Sequence, residues 1–281
     1  MPTKAGRPAG NWLAFAVAAV TLFCSAWIVL PAPAYVLLPL SVGAPEVSSW
    51  LGLAAIATVL VALRRVGASG MARATVMLAV FAVALSSVPF LQFSHAVTSF
   101  DREMGSAFGA GYLREVPAAA RAGWRPRPLV AVDLFRGIPT ARVIVQHLPP
   151  DAGHGGRNVI VYRPPRAGRY PIIVQIYGGA WRTGTPAENA GFARYLAAHD
   201  YVVFAIDYRH APASRWPAQL DDVRAALDWV NRHGEEFDGD ASRIALVGRS
   251  SGAQLATIAA WAPGAPRIRA VVSIYGPVDL A

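Results

Sequence analysis

Two hydropathy patterns divide this 281-residue chain. Trp12 to Leu30, Val47 to Leu63 and Met71 to Phe93 are apolar almost throughout. The first is long enough to cross a bilayer as one helix, and the second is a little short. The third is interrupted only by Arg73 near its start and Pro89 near its end. Lipid offers no partner to a backbone N–H or C=O, so each run predicts a helix. Pro31 and Pro33 close the first, and Gly67, Ser69 and Gly70 turn the chain between the second and third. A transmembrane region over 1–93 is expected.

From Arg142 onward short β-branched runs alternate with helical periodicity. Val143-Ile144-Val145 and Val159-Ile160-Val161-Tyr162 read as an opening pair of strands. Ile172 to Ile176, Tyr201 to Ile206, Arg243 to Val247 and Ala270 to Ile274 follow as strands, with helices over Ala190–His199, Leu220–Arg232 and Gln254–Trp261. Continuous apolar strands separated by helices imply an α/β class domain over 141–281, a mostly parallel sheet covered on both faces. Between the two regions, 94–140 reads as a linker. Its one amphipathic piece, Phe100 to Arg114, is either a spacer or a lid-like helix, and Arg125-Pro126-Arg127-Pro128 is extended.

Charge follows the same split. Between Asn11 and Phe93 the charged residues are Glu46, Arg64, Arg65 and Arg73. Lys4 and Arg7 precede the first run, and the Pro31–Glu46 connection has no positive charge, so the amino terminus and second loop are expected in the cytoplasm. Three crossings then place the soluble domain on the outer face of the plasma (inner) membrane. Lys4, Arg7 and Ala32-Pro33-Ala34 also fit a cleaved secretory signal, which leaves a two-helix hairpin and the same outside placement. The net charge of +9 would suit nucleic acid. The arginines, however, are scattered among acids without interleaved aromatics, so no nucleic-acid partner is expected. Cys24 is the only cysteine; it excludes an internal disulfide or a cysteine zinc site and packs as a small hydrophobe.

The candidate chemistry lies at Gly248-Arg249-Ser250-Ser251-Gly252, between a strand and a helix. Small residues there allow a sharp turn that lifts a serine above the sheet edge, with a helix N-terminus aimed at it: a nucleophile elbow. Upstream, Tyr177-Gly178-Gly179-Ala180-Trp181 directly follows a strand. Two glycines let the backbone approach a developing oxyanion without side-chain obstruction.

These landmarks, with Asp207-Tyr208-Arg209-His210-Ala211-Pro212, Trp216-Pro217-Ala218, Asp221 and Gly239-Asp240-Ala241-Ser242-Arg243-Ile244, resemble the α/β-hydrolases. The resemblance is to the hormone-sensitive-lipase-like and feruloyl-esterase-like (BD-FAE) branch, and also to prenylcysteine methylesterases. It covers Arg142 to Leu280. It implies that Ser250 is the nucleophile and that the N–H groups of Gly178, Gly179 and Ser251 form the oxyanion hole. Tyr177 stands where the family more commonly has His, a position that props the loop, and Arg249 where an acidic or other polar residue is more usual. Asp207 and Arg209 are expected to order their loop.

A serine needs a base and an orienting acid, which in this family follow the elbow. The six histidines (His95, His147, His154, His199, His210, His233) all precede Ser250. His210 is on a loop near the site, and Asp279 sits where a few lipases keep their acid. The sheet is therefore expected to be truncated at its C-terminal end, either as a fragment whose acid and base lie beyond Ala281 or as a degenerate hydrolase. The expected function is a membrane-anchored serine hydrolase of carboxylic esters, acting on an ester small molecule or lipid, without metal or organic cofactor. The alternative is an inactive hydrolase-like membrane protein that binds. A transporter is disfavoured because the spans lack central acidic or histidine residues.

Overall fold

A computed structural model describes residues 9–64, 69–122, 124, 127–137, 142–150 and 156–279. Lys4, Arg7, Arg65, Gly67, Arg125, Pro126, His154 and Leu280, which entered the sequence reading, lie outside them. The chain divides into two units, Met1–Gly137 and Ile138–Ala281.

The first unit holds α1 (Ala9–Ala26), α2 (Leu38–Glu46), α3 (Ser48–Leu63), α4 (Gly70–Phe108) and two short helices, α5 (Ala118–Ala122) and α6 (Asp133–Arg136). Among the described residues one helix, α4, is long and apolar enough by itself to cross a membrane. The expected second span is a pair, α2 and α3, bent by 75° at Val47, and counts as a second crossing only if the pair is one broken span. The first run stops being helical at Ala26, ahead of Pro31 and Pro33, and leaves α1 short.

The third run goes the other way. Pro89 is accommodated inside α4, which continues through the expected linker start at Ser94 to Gly109, where φ is 91°. Ser69 caps its start by accepting from Ala72 N–H at 3.1 Å.

Helices α1, α3 and α4 pack on one another through small residues. Ala18, Thr21 and Ser25, then Ala55, Thr58 and Ala62, then Ala72, Thr75, Ala79, Ala82 and Ser86 are buried. Their spacing of three and four keeps each set on one helix face. Ser25 and Ser86 share a hydrogen bond of 3.0 Å inside. The large apolar side chains of the same helices, such as Trp12, Phe23, Leu60, Met77 and Phe81, are exposed. This is the reverse of a water-soluble bundle, where large apolar groups fill the centre.

The second unit is a six-stranded sheet in the order β1-β2-β4-β3-β5-β6. Its strands are β1 (Ile144–Leu148), β2 (Val159–Arg163), β3 (Tyr170–Ile176), β4 (Val202–Ile206), β5 (Gly239–Arg249) and β6 (Ile268–Ile274). The first pair is antiparallel and β2 runs antiparallel to β4; β4, β3, β5 and β6 are mutually parallel. Strand residues alternate between two cores. On one face Val174, Ile176, Phe204, Ile206 and Leu246 meet α8 (Ala218–His233) and α9 (Ser251–Ala260). On the other, Ile173, Val203 and Ala205 meet Ala193 and Ala197 of α7 (Ala190–Ala198). Each fully buried Ile, Leu or Phe contributes about 1.5–3 kcal/mol. The mixed, mostly parallel sheet with helices on both faces is the α/β-hydrolase fold. It brings the carboxyl ends of β3, β4 and β5 side by side.

Candidate active site

Ser250 sits between β5 and α9 with φ 51° and ψ −124°, as the residue capping α9. A non-glycine residue at positive φ is costly, by about 1–3 kcal/mol, and persists only where its surroundings fix it. Here Ser250 N–H donates to Ile274 O at 2.9 Å, and Ser250 O accepts from Ala253 and Gln254 N–H at 2.9 and 3.2 Å.

The flanking glycines are required by close approach. A Cβ on Gly248 would lie 2.3 Å from Gly252 O, and one on Gly252 would lie 2.2 Å from Tyr177 O. The first turn of α9 is therefore pressed directly against the end of β3. Ser250 itself is half-buried, whereas Ser251 is fully buried.

The Gly178-Gly179 loop is beside Ser250. A Cβ on Gly178 would lie 2.8 Å from Arg249 O and 3.1 Å from Ser250 Cβ. Gly179 has φ 129° and its carbonyl accepts from Arg182 and Thr183 N–H at 3.0 and 3.1 Å, which folds the loop back on itself. As the first residue of α9, Ser251 contributes one of the N–H groups that a helix start leaves without an intrahelical partner. The four residues singled out from sequence thus converge: Gly178, Gly179, Ser250 and Ser251 occupy the adjoining ends of β3 and β5.

Tyr177 props this loop. Its hydroxyl donates to Asp207 Oδ1 at 2.5 Å and lies 2.9 Å from His210 Nε2, and its ring stacks on Tyr208 at 4.5 Å. Tyr208 O–H in turn donates to Tyr177 O at 3.1 Å and reaches Ser251 Oγ at 3.4 Å. Burial is the main cause of the raised pKa values of both phenols, Tyr208 to about 12 and Tyr177 beyond it, where the Asp207 hydrogen bond adds to the effect. Both are neutral donors at ordinary pH.

Asp207 and Arg209 order the loop after β4, and Arg209 is gripped by Asp222, the neighbour of the exposed Asp221. Asp222 is buried and accepts from Arg209 N–H at 2.8 Å and from Nε at 2.8 and 3.0 Å. The signal available in the sequence was helical spacing, since Asp222 shares the buried face of α8 with Gln219, Val223 and Ala226. Arg249 donates to Asn189 Oδ1 at 2.5 Å and to the Tyr275 hydroxyl at 2.9 Å, with its guanidinium over the Tyr275 ring.

Three of the histidines are engaged elsewhere. His210 contacts Tyr177, His199 Nδ1 lies 2.7 Å from Tyr195 O, and His233 pairs with Glu236. Among the described residues none is hydrogen-bonded to the Ser250 hydroxyl, and no group of three or more His, Cys, Asp or Glu residues could hold a metal ion.

Residues 160–281 match the BD-FAE family model. A probable carboxylic ester hydrolase, LipM of Mycobacterium tuberculosis, is 30% identical over 223 residues, 70% of this chain and 50% of that protein. A probable isoprenylcysteine alpha-carbonyl methylesterase, ICMEL2 of Arabidopsis thaliana, is 32% identical over 108 residues, 38% of this chain and 26% of its own. Among solved structures, a hyperthermophilic esterase from the archaeon Pyrobaculum calidifontis is 32% identical over 51% of this chain and 48% of that one, with a TM-score of 0.45. The chain spans half or less of the length of these relatives. The fold and the match of residues 160–281 make this domain similar to the α/β-hydrolases of the BD-FAE family model.

Proposed function

We propose that the protein is a membrane-anchored serine hydrolase of carboxylic esters. Ser250 Oγ attacks the ester carbonyl carbon, its proton passing to a general base, and the carbonyl oxygen becomes an oxyanion. The N–H groups of Gly178, Gly179 and Ser251 receive that charge; such donors act in a site already organised for it, so no reorganisation opposes the step. Collapse of the intermediate breaks the C–O bond to the alcohol, which leaves with a proton. Water then repeats the attack on the acyl-serine and releases the acid. The observation that carries this reading is the strained backbone of Ser250 lying directly against Gly178. The geometry assigns the base to no described histidine. Relatives named as ester hydrolases support the substrate class.

The inverted arrangement of the first unit, small residues inside and large apolar ones outside, supports a bundle of α1, α3 and α4 embedded in lipid. The soluble unit is then exoplasmic, as the positions of Arg64 and Arg73 between the last two apolar segments suggest. The test is hydrolysis of p-nitrophenyl esters by the full-length protein in detergent. Turnover lost in Ser250→Ala supports the reading. A folded wild type without turnover favours the binding-only alternative.

A further inference from the structure

We infer that residues 129–136 dock in the headgroup layer of an anionic bilayer, at the level where α3 begins. This extends the reading of the first unit as lipid-embedded and rests on it.

The position follows from helix levels inside that unit. Helices α3 and α4 are joined by a short connection and pack along each other, so they run antiparallel. A Cβ on Gly52 would meet Ser86 Cβ at 3.5 Å, which sets the two residues side by side. Trp50, nearer the start of α3, is then level with Val88. At 1.5 Å per residue, α4 climbs about 30 Å further before it ends at Phe108. A bilayer core of about 30 Å takes about 20 helical residues, so an apolar run that starts at Met71 leaves it near Leu91. The last part of α4 therefore stands clear of the hydrocarbon, in keeping with the exposed Asp101, Arg102 and Glu103 there.

The connector does not stay at that height. Phe135 of α6 meets Trp50 edge-on, with ring centroids 5.2 Å apart. The chain thus descends after Gly109 and returns to the level at which the hydrocarbon ends. Phe135 is exposed, as are its sequence neighbours Leu129, Val132 and Leu134. Over 127–137 the one acid is Asp133, against Arg127 and Arg136. Both arginines are exposed. Apolar groups at the headgroup boundary gain by leaving water, and each arginine near an anionic surface adds attraction. Trp50 is the kind of amphipathic ring that settles at this depth. The segment is a membrane contact rather than part of a spacer.

The experiment uses the full-length protein with Cys24→Ala, in nanodiscs of phosphatidylcholine with or without phosphatidylglycerol. Leu134→Cys, Arg102→Cys and Phe81→Cys, each made singly, carry an NBD fluorophore for quenching by aqueous iodide or by spin-labelled lipid. With phosphatidylglycerol present, iodide quenching at position 134 is expected to be at least about fivefold weaker than at 102. Spin-labelled lipid is expected to quench 134 and 81 but not 102. Omitting phosphatidylglycerol, or combining Arg127→Glu with Arg136→Glu, is expected to lower lipid quenching at 134 by about twofold or more. Lipid quenching at 81 without it at 134 overturns the inference and leaves the bundle embedded. So does quenching at 134 that ignores both the anionic lipid and the two arginines. Iodide reaching 81 as freely as 102 overturns the embedded reading and the inference together.

Discussion

The phenol of Tyr177 donates to Asp207 at 2.5 Å, and the same carboxylate oxygen accepts Tyr208 N–H at 2.9 Å. One carboxylate thus ties the residue that opens the glycine loop to the loop after β4. Hydrogen bonds to charged groups contribute about 1.5–3 kcal/mol. Tyr177→Phe is expected to lower stability by about that amount and to lower kcat, because the loop that carries Gly178 and Gly179 loses its tie to Asp207. Denaturant unfolding and steady-state kinetics check the two parts.

Gly178 has no room for a side chain. A methyl group there meets Arg249 O, a backbone atom that cannot step aside alone. Gly178→Ala should push the loop away from Ser250 and lower kcat by about two to three orders of magnitude, the cost of losing an oxyanion donor, with circular dichroism unchanged. Unaltered turnover would place the donors elsewhere.

Tyr208 links stability to alkaline pH. Burial raises its pKa to about 12 from about 10 in an unfolded chain. A raised pKa means stabilisation fully present below about pH 10 and lost as pH climbs toward about 12. Tyr177 titrates in the same sense, so Tyr208→Phe should make the decline in thermal midpoint between those values shallower without removing it.

Much of the second unit's fold was legible because short β-branched apolar runs alternating with helical periodicity read as strands covered on both faces, and Gly178, Gly179, Ser250 and Ser251 lie at the adjoining ends of two of those strands. Three features were not legible. The length of α4 past Ser94 depends on Pro89 being tolerated inside a helix. The Asp222–Arg209 pair depends on which of two adjacent acids faces inward. The Tyr177–Asp207–His210 cluster joins residues from two strand ends and has no local signature.

The first unit predicts an asymmetry between its two helix faces. Ala79 is fully buried between helices whereas Met77 is exposed. Ala79→Leu overpacks the interface at about 1–3 kcal/mol, while Met77→Leu should be silent. Thermal aggregation of the detergent-solubilised variants measures this, and retention of the wild type in carbonate-washed membranes reports its embedding.

The most direct measurement is covalent labelling of the full-length protein with a fluorophosphonate, followed by mass spectrometry of the peptide spanning Gly248–Gly252. The account predicts an adduct on Ser250 that Ser250→Ala abolishes. An adduct on another residue, or equal labelling of the variant, would contradict it.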